Sequence, residues 1–72
     1  MAGNILKAHW YVAANELKER WPDLTQKDLL YIQGEQEKLV EVVRKRRHVS
    51  EKEARADVEF FIRHLKTNQN VA

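Results

Sequence analysis

The stretch Trp21–Gly34, WPDLTQKDLLYIQG, holds a helix stop, a turn, a helix start and a second helix stop, and it leaves the rest of the chain few options. Pro22 disfavours the α region at Trp21, so a helix arriving from the N-terminal side must end there. Thr25 offers a side-chain oxygen as N-cap and Asp28 stands three residues on as its acidic partner. Leu24 and Leu29 fill the N′ and N4 positions of a hydrophobic staple. A second helix therefore runs from Gln26 to Gln33 and stays short, because Gly34 suits the left-handed conformation that closes a helix. So short a helix is unstable alone and must lean on its neighbours.

The flanking sequence supplies those neighbours. From about Asn4 to Arg20 the apolar residues Leu6, Trp10, Ala13, Ala14, Leu17 and Trp21 recur near a period of 3.6, predicting an amphipathic first helix with both tryptophans in the core. Glu35 to Arg47 predicts a third helix with Leu39, Val40, Val42 and Val43 inward. Its acidic start, Glu35, Glu37 and Glu41, and its basic end, Arg44 to Arg47, follow the order that the helix dipole favours. VSEKEA then repeats the grammar of LTQKDL, with Ser50 as N-cap, Glu53 at N3 and Ala54 at N4. It predicts a fourth helix from Glu51 to about Lys66 whose inner face carries Ala54, Val58, Phe61, Ile62 and Leu65. Residues 67–72 are polar and are expected to fray. No alternating strand pattern occurs, so the fold class expected is all-α, a single domain over residues 1–72 with its core at about 5–66.

Composition narrows the function. A chain of 72 residues has room for one small core, and the absence of cysteine removes disulfides, thiolate zinc sites and cysteine nucleophiles. Charge is mixed, 33% of residues for a formal net +2, which gives no strong reason to invoke nucleic acid or anionic lipid across the whole surface. No apolar run is long enough to span a membrane, and the N-terminal residues lack a signal-peptide core, so a cytoplasmic location is expected.

The residues Trp10, Leu17, Trp21, Leu24-Thr25, Asp28-Leu29, Ile32, Gly34, Leu39-Val40, Ser50, Glu53-Ala54, Val58 and Phe61-Ile62, in this order and spacing, resemble the CsbD family of small bacterial proteins over roughly residues 7–64. The resemblance implies a four-helix domain of two helical hairpins packed crosswise, in a bacterial cytoplasmic protein associated with general stress response. It implies no enzymatic activity, cofactor or catalytic residue. Two positions depart from the family pattern. Arg47-His48 replaces a Tyr-Gly pair before the last helix, and Phe60 occupies a position that is usually polar.

Three kinds of site follow from the residues. Arg44, Lys45, Arg46 and Arg47, with Lys38 and Lys52 nearby, form the sharpest candidate for nucleic-acid phosphate. Against it, consecutive helical residues lie about 100° apart, so the run surrounds its helix and also reads as a solvated helix end. The glycine between two helices at Ile32-x-Gly34 faintly resembles a phosphate-docking helical hairpin, but Glu35 and Glu37 would repel an anion there. Ile5, Val12 and Phe60 lie off the apolar stripes and are candidates for protein contact or self-association, the alternative being ordinary scattered surface apolar residues. His9, His48 and His64 lack metal-ligand spacing, Asp28 is explained by capping, and no glycine-rich phosphate loop occurs. The expectation is a non-enzymatic binding or protective module without metal, cofactor or small-molecule substrate. The alternative function is weak nucleic-acid binding through residues 44–48.

Overall fold

The computed structural model describes residues 5–65. They form five helices, with no strand among the described residues: α1 Ile5–Ala8, α2 Trp10–Arg20, α3 Gln26–Ile32, α4 Gln36–Arg47 and α5 Glu51–Arg63. The all-α expectation holds. The expected fraying of residues 67–72 concerns residues outside those described.

The start signals act as the sequence predicts. At α3 the Asp28 N–H donates to Thr25 Oγ1 at 3.1 Å and the Thr25 N–H donates to Asp28 Oδ2 at 3.0 Å, a closed capping box. At α5 the Glu53 N–H reaches Ser50 Oγ at 3.2 Å and the Ser50 N–H reaches Glu53 Oε1 at 3.4 Å. Leu24 and Leu29, the two staple residues, are both buried.

The helix expected over residues 4–20 is not continuous. At His9 the backbone leaves the helical region, with φ −118° and ψ 36°, and α2 starts afresh beyond it. The cause is tertiary. Leu6 is fully buried, and the backbone of Lys7 lies so close to Gly34 that a Cβ on Gly34 would sit 2.7 Å from Lys7 Cα. Lys7 Nζ also donates to Glu35 Oε2 at 2.8 Å. The first turn is thus held against the α3–α4 connection and follows that connection instead of the axis of α2.

The α3–α4 connection uses two left-handed residues, Gln33 at φ 46° and Gly34 at φ 81°, where the sequence marks only the glycine. The α4–α5 connection uses His48, at φ 57° and ψ 45°, with the His48 and Val49 N–H groups both directed at the Arg44 carbonyl. A histidine there carries a conformational cost that glycine avoids. His48→Gly is therefore expected to stabilise by about 1 kcal/mol, seen as a higher urea midpoint at unchanged slope. An unchanged or lower midpoint contradicts this.

The core joins all five helices through Leu6, Ala13, Leu17, Ile32, Leu39, Val43 and Val58, each fully buried, with Trp21, Leu24, Val40, Val42, Phe61 and Leu65 around them. The two tryptophans diverge. Trp21 is buried with its ring 5.6 Å from that of Phe61, whereas Trp10 is only half-buried at the core edge. Ile62, expected on the inner face of α5, is likewise half-buried. No helix among the described residues is long and apolar enough to cross a membrane.

Candidate functional site

The basic run at the end of α4 is exposed but does not act as one surface. Arg46 turns back to α3, where its Nε and Nη2 donate to the two carboxylate oxygens of Asp28 at 2.9 and 3.1 Å. Asp28 thus serves two roles, cap and anion for Arg46, and its side chain is only 15% exposed. The Arg46 guanidinium holds the Asp28 carboxyl below the usual carboxylate range, against the opposing effect of desolvation.

Stability follows from that shift. Asp28 titrates lower in the folded chain than its ordinary value near 3.8, so its contribution is whole above that pH and is lost as pH falls through the folded value. Asp28→Asn keeps the shape and removes the charge. It is expected to cost about 1 kcal/mol at pH 7, a modest figure because the Arg46 side chain is 42% exposed. The difference from wild type shrinks in acid and vanishes below the folded pKa. Urea denaturation across pH 2.5–7 checks this, and a constant difference contradicts it.

Lys45 and Arg46 line a cleft of about 440 Å³ between α3 and α4, with Asp28, Tyr31, Glu41 and Val42. Its polar groups are largely paired. Tyr31 Oη donates to Glu41 Oε1 at 2.8 Å, which raises the phenol pKa, and Lys38 Nζ lies 5.1 Å from the Tyr31 ring centroid. Arg44 lies on the other flank of α4, in a shallow depression that also contains Glu37, Glu51 and Arg55. There Arg55 donates to both carboxylate oxygens of Glu37 at 2.9 and 3.0 Å and to Glu51 at 2.9 Å, clamping α4 to α5. The run is therefore split: Lys45 and Arg46 face α3, Arg44 faces α5, and among the described residues no carboxylate pairs with Arg44, Lys45 or Arg47. At the α3–α4 turn Glu35 is paired with Lys7, so that turn presents an engaged carboxylate and no cradle for phosphate.

The apolar candidates fare differently. Phe60 is 55% exposed and Val12 is 40% exposed, as their helical positions predict. The side chain of Ile5 lies outside the described residues. Phe60 stacks on His64, ring centroids 4.1 Å apart, and His64 Nδ1 donates to the Phe60 carbonyl at 2.9 Å. With Phe61 these rings form one side of a groove of about 280 Å³ whose other side is Glu16, Glu19 and Arg20 of α2. Val12 does not line it, so the structure does not join Val12 and Phe60 in one groove.

Sequence reasoning missed Glu16, Glu19 and His64 as neighbours of Phe60. The i, i+4 spacing of Phe60 and His64 was an available signal; the approach of α2 was not. Tyr11, 86% exposed, also escaped notice as a surface apolar residue. The described residues contain no group of three His, Asp or Glu side chains placed to hold a metal ion.

No protein-family model, curated protein or solved structure matches this chain.

Proposed function

We propose that this chain is a small, non-enzymatic binding or protective module, cytoplasmic and similar in kind to the CsbD proteins of bacterial stress response, that meets a protein partner through the Phe60 face. The observation that carries this reading is the position of Phe60. Its neighbour Phe61 is buried against Trp21, the inner face of α5 is filled, and yet a large aromatic ring stands outward at the mouth of a groove, braced by His64. An exposed aromatic anchor beside a concavity is the usual centre of a protein contact. The same reading takes α1 and α2 as one kinked helix, so that α1–α2 with α3 and α4 with α5 make two hairpins packed crosswise. The packing of α4 on α5 supports the second of these hairpins.

Photo-crosslinking tests the reading. A benzophenone side chain at position 60 should give discrete heavier adducts in a bacterial extract, whereas the same group at Ala56, exposed on α5 outside the groove, should give none. Equal adduct patterns at both positions contradict it.

A second reading, weak nucleic-acid binding, is favoured by one observation: Arg44, Lys45 and Arg47 are exposed and have no carboxylate partner among the described residues. It predicts oligonucleotide binding that falls with salt at a log-log slope of about 3 and disappears in Arg44/Arg46/Arg47→Ala. Binding that the triple variant retains contradicts it.

A further inference from the structure

We infer that the groove between α2 and α5 takes a basic, amphipathic segment of another protein, which sets an apolar side chain on Phe60 and Phe61 and a lysine or arginine against Glu16 and Glu19. This rests on the docking reading above and adds the chemistry of the partner.

The groove has two unlike walls. One is aromatic, made of Phe60, Phe61 and His64; the other is the end of α2, with Glu16 and Glu19 one helical turn apart on one face. Among the described residues neither carboxylate has a cation within ion-pair distance. Asp23, Asp57 and Glu59 likewise have no cation within ion-pair distance among the described residues; what sets Glu16 and Glu19 apart is that both line the groove that holds the aromatic wall. Arg20, the cation within the groove, has its guanidinium carbon 5.0 Å from the Trp21 ring centroid. An aromatic floor with an acidic rim is complementary to an apolar anchor flanked by cations, because rim charges choose the partner while the buried anchor supplies most of the affinity. The same carboxylates repel phosphate, which sets nucleic acid aside at this place.

The basic run of a second copy is a poorer match. Its cations adjoin Val42 and Val43, which are buried, and Val49, which is half-buried, and the exposed aromatic of their cleft, Tyr31, is already engaged by Glu41 at its hydroxyl and by Lys38 over its ring.

The test uses the full chain and two fluorescein-labelled amphipathic helical peptides, one of leucine and lysine, the other of leucine and glutamate, followed by anisotropy. The lysine peptide should bind at least about tenfold more tightly than the glutamate peptide, a gap of about 1.4 kcal/mol. Phe60→Ala should weaken the lysine peptide about tenfold. Glu16→Lys with Glu19→Lys should reverse the preference, while Glu59→Lys, which changes an exposed carboxylate of α5 outside the groove, should leave it in place. Loss of the preference in Glu59→Lys overturns the inference, because the selectivity is then one of net charge. Equal, Phe60-dependent binding of both peptides overturns the basic partner and leaves the docking face standing. Binding indifferent to Phe60→Ala overturns both. A wild-type sedimentation mass of twice 8.6 kDa that Phe60→Glu halves assigns the groove to a second copy and likewise overturns the inference.

Discussion

Gly34→Ala is expected to destabilise the chain by about 2–4 kcal/mol, a large share of the roughly 4–10 kcal/mol that holds a domain of this size together. Two costs combine. The residue sits at φ 81°, where an L side chain is strained, and the added Cβ would lie 2.7 Å from Lys7 Cα, 3.2 Å from Lys7 Cβ and 3.3 Å from Lys7 Cγ. Cα cannot swing aside as a side-chain tip can, so α1 must move, loosening Leu6 from the core and stretching the Lys7–Glu35 pair. Gly34→Asn separates the two costs. Asparagine tolerates the left-handed region better than alanine but carries the same Cβ. If the approach of Lys7 dominates, Asn is nearly as damaging as Ala; if backbone conformation dominates, Asn recovers much of the loss. Urea unfolding of the three proteins decides, and an alanine variant within about 0.5 kcal/mol of wild type contradicts the close packing of α1 on this turn.

Trp21→Ala is expected to cost about 3–5 kcal/mol, enough to leave the chain largely unfolded at moderate temperature. Trp21 is 2% exposed, closes α2 and packs on Phe61 of α5, so its removal opens a void between the two ends of the core. Trp21→Phe should be far milder, under about 2 kcal/mol, for a particular reason. The buried indole Nε1 of Trp21 has no hydrogen-bond partner, and phenylalanine removes that unsatisfied donor while keeping an aromatic ring against Phe61. Trp10→Ala gives the comparison at the other end of α2: half-buried, it should cost less than half as much as Trp21→Ala. Equal losses at the two tryptophans contradict the asymmetry of the core.

What could be read from the sequence was what local chemistry decides. Thr25 and Ser50 cap helices through hydroxyls whose partners lie three residues away. The inner faces of α4 and α5 followed from periodicity, since Leu39, Val43, Ala54, Val58 and Phe61 recur with the helix. What escaped depends on contacts between distant residues. The break at His9 is set by Lys7 meeting Gly34 and Glu35, 27 and 28 positions away. Arg46 leaves the basic run for Asp28 across 18 positions, and Glu16 and Glu19 join Phe60 only through packing. Periodicity names the face of each helix but not the helix it meets. The candidate site was therefore half legible: Phe60 by its wrong-sided position, its acidic wall not at all.

The split of the basic run bears on function directly. Of its four cations Arg46 is committed to Asp28 while Arg44 and Lys45 lie on different flanks of α4, whereas the Phe60 groove gathers an aromatic wall and two unpaired carboxylates in one place. The measurement that tests the account most directly is the amide spectrum of the isotopically labelled chain in an unlabelled bacterial extract, recorded before and after nuclease treatment. The account predicts shifts or broadening centred on Glu16, Glu19, Phe60 and His64 that survive nuclease. Changes centred on Arg44 to Arg47 that nuclease abolishes, with the groove residues unmoved, would contradict it and make the chain a nucleic-acid binder.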